Sequence, residues 1–512
     1  MSSSTRLVAV AGLLASFVVL GPAGAVAAPA GQLTHAVPFA LAPALVDPAD
    51  HQGGLTALLA FYALHDALVK PMPGGATTPS LAESWTASRD GLTYEFVLRK
   101  GVRFHNGDPL TAEDVKFSFE RYRGVSSKLL REKVTAVEIA DAHRVRFRLA
   151  EPWPDFMTYF GTPATAAAWV VPKAYIERVG EEGFRKAPVG AGPYRFVSLT
   201  PGVELIMEAH EAYWRKVPAV KRLVFRSVTD DSTRLAMLKR GEADIAYNLR
   251  GPLGEEVQRT AGLTLTRTLL PTVFWVDFGQ GQWDPRSPWH DIRVRRALAL
   301  AIDRQAINQA ETLGLSRVTF SVVPPTFEMA WPAPPVPYDP AQAKALLAQA
   351  GYPNGLDGGD YFCDAVFASV GEAVVNYLGA IGVRARLRPL ERAAFQKQWQ
   401  ERKLKPLIQG QVAAFGGAIA RIERLMLPGG AFAAGSYPEI ERLFQQQAKE
   451  PDRATREALV HRIQQLAYDR VMFVPIFQQA QLNGVGARVD QPAGIGIEHI
   501  PFALPYEDLR TR

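Results

Sequence analysis

The side chains of this sequence that could do chemistry are suited to recognition more than to turnover. Polar ligands are held in clefts by aromatic faces together with a few amide or charged groups. Trp275, within Phe274-Trp275-Val276-Asp277-Phe278, is the leading candidate for such a face, although it serves equally well as a core tryptophan. Tyr247, Asn248 and Arg250 follow a strand expected to end near Ile245, and strand ends facing a crevice are where α/β folds place ligands. Tyr62 and His65 lie in an early helix-like segment and Phe415 and Arg421 in a later apolar stretch; His65 also reads as a satisfied surface histidine.

Catalytic strings with a mechanical basis are missing. The chain has no Gly-x-Ser-x-Gly elbow, no phosphate loop, no Gly-x-Gly-x-x-Gly and no zinc-protease motif. Cys363 is the single cysteine, so neither an intramolecular disulfide nor a cysteine zinc site can form, and a free buried thiol is expected. None of the nine histidines falls three or four residues from another, so no metal site and no required cofactor are indicated. A secreted hydrolase would need carboxylates or a serine pair that meet only in space.

These residues need a large scaffold to position them. The chain has 512 residues, 47% hydrophobic and 21% charged, which suits about three globular domains. A net charge of +6 on 57 basic and 51 acidic residues is a small excess, without the dense basic stripe that nucleic acid demands. Arg6, the apolar run Leu7 to Leu20, Gly21-Pro22 and the small residues up to Ala27 have the layout of a secretory signal, residues 1–27, with cleavage expected near Ala28. No cysteine stands there for lipid attachment, and no later run approaches a membrane span, so a soluble exported protein is expected.

The elements read as mixed α/β. Alternation at Tyr94, Phe96 and Leu98, continuing through Val102 and Phe104, and again at Val145, Phe147 and Leu149, predicts strands. Thr111 and Asp114 form a capping box for a helix, and Asp231 is expected to cap another that stops at Gly241 and leads into a strand over Ala243 to Tyr247. Pro188 to Tyr194 suits a tight re-entry into a strand at a domain boundary. Val294, Ala297, Leu298, Ala301 and Ile302 make one apolar helical face, with Arg293, Arg295, Arg296 and Arg304 expected on its solvated side. Trp331 to Pro337 is an extended proline-rich loop; Asp339 and Pro340 open a helix ended by Gly351. Two late amphipathic helices precede a strand over Val471 to Phe477.

Five blocks, in order, resemble the family 5 periplasmic solute-binding proteins, the receptors of oligopeptide, dipeptide and nickel ABC importers. They are LAESWTASRDGLTYEFVLRKGVRFHNGDPLTAEDVKFS from Leu81, PVGAGPY from Pro188, STRLAMLKRGEADI from Ser232, DIRVRRALALAIDRQAI from Asp291 and YDPAQAKALLAQAGYPNG from Tyr338. The resemblance implies an α/β, type II-like clamshell of two lobes plus an inserted domain. Domain I would be residues 32–79, 190–289 and 478–512, domain II 80–189 and domain III 290–477. It also implies a monomeric periplasmic receptor that encloses a small solute by hinge closure and passes it to an inner-membrane ABC permease. His105, in one of the blocks, is expected to serve the fold.

Peptide-binding relatives resemble one another in a Trp-x-x-Asp-Tyr-x-Asp stretch whose carboxylate neutralises the peptide ammonium. Here the corresponding region reads Gln409-Gly410-Gln411-Val412-Ala413-Ala414-Phe415-Gly416-Gly417-Ala418-Ile419-Ala420-Arg421, and Glu423 is the only acid between Arg402 and Pro438. An enclosed ammonium without a partner is costly, so the reading favours a carboxylate or a neutral polar molecule such as a sugar over an ordinary peptide. An ordinary oligopeptide receptor, a ligand sensor and a receptor for a metal chelate or haem stay open as alternatives.

Overall fold

The computed structural model describes residues 28–512 except 53–54, 163–164, 414–416 and 491–495. The expected signal segment and Phe415 lie outside the described residues. Among the described residues no helix is long and apolar enough to cross a membrane.

Local chemistry sets the helix ends. The Thr111 N–H donates to Asp114 Oδ2 at 2.9 Å and opens the helix Ala112–Arg121. Asp339 Oδ1 accepts from the Gln342 N–H at 2.8 Å at the start of Pro340–Gln349. The helix Asp231–Arg240 is capped by Asp230, one residue before the expected Asp231, because Asp230 is the residue with extended backbone and so can fold its carboxylate onto the Thr233 N–H at 2.7 Å. Gly241 closes that helix at φ 73°, and the following strand is only Ile245–Ala246. Val102 and Phe104 fall in a turn closed by an Arg103–Pro109 bridge, not in a strand. Both ring nitrogens of His105 there engage the glycine-rich segment, Nδ1 accepting from the Gly190 N–H and Nε2 donating to Gly192 O at 3.0 Å. Gly192 in turn donates to Leu64 O at 3.1 Å, and a Cβ at either glycine would collide with backbone at the end of the helix Leu58–Leu64.

An eleven-stranded mixed sheet organises the molecule. Its order is Tyr194–Thr200, Glu204–Ala209, Val220–Ser227, Ala30–Val37, Ile245–Ala246, Phe473–Val485, Thr264–Asp277, Leu407–Ala413, Leu356–Asp364 and Val383–Leu390, with Arg317–Val318 pairing off the path onto Phe473–Val485. The two long central strands are antiparallel and pair in two stretches. Leu269 faces Ala480, Val273 faces Gln478, and the register shifts between them. The strand Phe473–Val485 runs well past the expected Phe477: after the apolar run it continues as an alternation of Ala480 and Leu482 with Gln479, Gln481 and Asn483, of which Gln481 and Asn483 are buried.

The cores follow this division. One continuous cluster joins Leu33, Phe61, Phe96, Phe147, Phe225, Tyr247 and Tyr506, so the expected domains I and II share a core, although segment 80–189 carries its own four-stranded sheet. Two further clusters occupy residues 273–477. Phe274, Phe278 and Trp289, which the expected division assigns to domain I, pack there with Val294 and Leu298.

The arginine row of the helix Ile292–Ala301 is only half solvated. Arg293 and Arg296 are exposed, but Arg295 is buried and donates to the carbonyls of Val471, Trp289, His290 and Arg470. Arg304 is buried too and reaches Pro475, Ala299 and Ile302 carbonyls. A guanidinium has five donors in a fixed fork, and here each fork ties together backbone carbonyls from several segments.

Candidate functional site

A cavity of about 780 Å³ opens where the two long strands change register. One wall is the loop Asn248 to Pro252 with Gln481, Pro501 and Phe502. The other is built by Phe274, Glu311, Asp364, Phe367, Arg392, Gln411 and Arg424 from the body of residues 273–477.

The charged groups come from separate elements. Asp364 ends the strand Leu356–Asp364, buried, and its Oδ2 accepts from Arg392 Nε at 2.8 Å and from Gln411 Nε2 at 3.1 Å. Arg392 also lies over the Phe367 ring, 5.6 Å from its centroid. Glu311, near the end of the helix Arg304–Thr312, accepts from Ser369 Oγ at 2.9 Å. Burial pushes its carboxyl above the usual range, against the pull of Ser369 and Arg250. It has no ion-pair partner within 4.0 Å among the described residues. Arg250 is exposed, and its side chain makes one hydrogen bond among the described residues, to Val366 O at 3.5 Å. Arg424 lies over Phe432, and its buried Nε has no partner among the described residues. Three arginines thus face two carboxylates around the cavity. Among the described residues no cluster of three or more His, Cys, Asp or Glu could hold a metal.

Of the side chains expected at a ligand, Asn248 and Arg250 line this cleft. Asn248 takes a left-handed backbone, φ 58°, and its N–H donates to Asn483 Oδ1 at 3.1 Å. Trp275, Tyr247, Tyr62, His65 and Arg421 lie outside the cleft's lining. Trp275 is fully buried on the opposite face of its strand, against Gly410, Trp399 and Phe473, and donates to Asp277, whose carboxyl burial pushes up to about 6. Strand side chains alternate, so its neighbour Phe274 is the ring that faces the cleft. Tyr247 is buried beside His35, its phenol 3.3 Å from Nδ1. Tyr62 is buried and donates to Pro71 O at 2.7 Å. His65 is not a surface residue: it is buried with Nε2 on Val46 O at 2.9 Å, and desolvation lowers its pKa to about 4. Arg421 is a clamp and not an anion seat. It donates to Val412 O, to Val322 O at 2.9 Å and to Pro271 O at 3.3 Å, and lies over Trp275. Cys363 is buried, its thiol pushed up to about 11 by desolvation, which keeps it unreactive.

Sequence reasoning missed Phe274, Glu311, Asp364, Arg392, Gln411 and Arg424. The strand-end rule that selected Asn248 and Arg250 would have found Asp364, at the end of a parallel strand beside the central pair. Glu311 and Arg392 carry no local signal, because each sits on an ordinary helix and gains its place from the packing of the second body. The nearest acid to Gln411 comes from another strand, since Gln411 Nε2 donates to Asp364 Oδ2.

The model of the bacterial extracellular solute-binding proteins, family 5, matches residues 76–431. The glutathione-binding protein GsiB of Salmonella typhimurium is 32% identical over 321 residues, 61% of this chain and 60% of that protein. The match therefore spans about three fifths of the length of such relatives. Among solved structures, the ABC transporter substrate-binding protein CtaP of Listeria monocytogenes has a TM-score of 0.82 at 20% identity, covering 94% of this chain and 99% of CtaP. AgaA from A. tumefacien R10, solved with agropinic acid, has a TM-score of 0.71 at 23% identity over 94% of this chain and 99% of its own. With the mixed α/β fold shared over 94% of the chain and the family model matched across most of it, this protein belongs to the family 5 extracellular solute-binding proteins.

Proposed function

We propose that the protein is a periplasmic receptor for a small amino-acid-derived acid with one ammonium and at least two carboxylates, which it encloses and delivers to an ABC permease. The observation that carries this reading is the charge around the cleft: Arg250, Arg392 and Arg424 against Glu311 and Asp364. Asp364 is already satisfied by Arg392 and Gln411. Glu311, half-buried and without a cation in contact, is the seat for an ammonium, and Arg250 and Arg424 are the seats for carboxylates. A ligand of net charge −1 neutralises the lining, and glutathione, the ligand named for the GsiB relatives, has that balance. Phe274, Phe367 and Phe502 supply the apolar surface such ligands lie against.

Closure would turn on the register shift of the two long strands, about residues 270–272 and 478–479, which carry the chain between bodies. In this proposal the division into lobes runs through those strands, and the receptor acts as a monomer. Mass spectrometry of the small molecules released when gently purified protein is denatured tests the reading. Recovery of an ammonium-bearing dicarboxylic acid supports it, whereas recovery of neutral peptides or of a sugar overturns it.

A further inference from the structure

A second cavity, of about 390 Å³, lies within the body of residues 273–477 and shares no lining residue with the cleft. It sits under the proline-rich segment. Its walls are apolar: Phe320, Trp331, Val336, Leu346, Met426 and Val474 are representative. One buried cation breaks that lining. Arg304 is 5% exposed, and no ion pair to it occurs among the described residues. Nε and Nη1 hold the Pro475, Ala299 and Ile302 carbonyls at 2.8 to 3.2 Å. Nη2, the remaining edge, has no hydrogen-bond partner among the described residues. The ring of Phe320 covers the guanidinium at 5.1 Å, and desolvation brings its pKa down to about 10, still charged at any physiological pH. The other charged groups nearby are exposed Arg296 and Asp469 at the rim, and Asp303, which is engaged in capping the helix Arg304–Thr312 through the Ala306 N–H.

A buried guanidinium with a free donor edge in an apolar chamber is the arrangement that recognises an anionic head on an apolar body. We infer that this chamber binds an amphiphilic monocarboxylate, its carboxylate on Arg304 and its chain among Trp331, Val336 and Leu346. At about 30 Å³ per heavy atom the volume accommodates about 13 such atoms, close to a ten-carbon acid. Arg304 opens the helix Arg304–Thr312, directly after the helix Ile292–Ala301 whose apolar face helps build the core.

Isothermal titration of the full chain with decanoate, and separately with decan-1-ol, tests this. Decanoate should saturate a single site and decan-1-ol should bind at least tenfold more weakly, because it lacks the charge. Leu346→Trp, which fills the chamber from its wall, should abolish decanoate binding, and Arg304→Gln should reduce it to the level of the alcohol. Trp331 lines the chamber, so its emission should shift with the same midpoint. Absence of saturable decanoate binding, equal affinity for the alcohol, or binding retained by Leu346→Trp would each overturn the proposal.

Discussion

Arg250 is the cleft cation with the fewest ties, exposed and held among the described residues by one 3.5 Å hydrogen bond to Val366 O. Its removal leaves the fold intact and deletes a charge from the ligand's surroundings. Arg250→Ala should lower the affinity for glutathione about tenfold, roughly 1.4 kcal/mol, with the melting temperature of the free protein unchanged; titration calorimetry and a melt check both halves. Glu311 adds a pH signature. Its carboxyl is raised by burial, so it takes up a proton at higher pH than an ordinary glutamate and then no longer attracts an ammonium. Affinity should weaken as the pH falls, and Glu311→Gln should flatten that profile. Only part of this residue-scale pattern is legible in the sequence. Trp275 stands out by type, yet period-two alternation turns it away from the ligand and presents Phe274. Gly410 explains why: a Cβ there would sit inside the Trp275 indole, so the tryptophan is packed on bare backbone.

At the scale of elements, buried arginines join pieces of chain that are remote in sequence. Arg421 reaches Pro271 beside the strand crossing, Val322 and Val412. Arg421→Met strands three buried carbonyls, and at about 1 kcal/mol each should cost about 3 kcal/mol in denaturant unfolding. Sequence patterning locates the helices that carry Arg295 and Arg304 but reads a charge row as solvent-facing, because periodicity does not register loop carbonyls that await a donor. A second joint is ionic. Arg121 bonds both Asp47 and Glu181, and Arg123 links Glu181 to Asp50, tying the helices Ala112–Arg121 and Lys173–Lys186 to the turn Pro48–Asp50. The Arg121 hydrogen bond chiefly holds the Glu181 carboxyl down to about 2, below its ordinary 4.5. A depressed carboxylate contributes stability above the unfolded pKa and loses it as the pH falls through the folded one. Glu181→Gln should therefore cost at neutral pH, about 1 kcal/mol after allowing for an exposed side chain, and the difference from the parent should vanish between pH 4.5 and 2.

At the scale of the whole molecule, the two long strands are not the only link between bodies. Asp155, from the segment 80–189, pairs with Arg456 at 2.5 Å, both largely shielded, and Arg456 also holds Gln447. Breaking a shielded pair leaves an uncompensated charge, so Asp155→Asn should disfavour closure and speed ligand release several-fold in stopped-flow measurements, with little change in association rate. The α/β class, the family blocks and most helix caps are legible in the sequence because they rest on local patterns. The position of the crossing is not, since it depends on which residues of two strands remote in sequence face each other across a register shift, and the pattern of neither strand reveals that. The cleft itself is a product of that crossing, which is why its two acids and three arginines come from five separate segments. The charge balance of the cleft is tested by titration calorimetry of the purified protein with glutathione, against a neutral tripeptide with free termini. One saturable site for glutathione at least tenfold tighter than for the tripeptide is expected, and equal or tighter binding of the tripeptide would overturn the proposed ligand class.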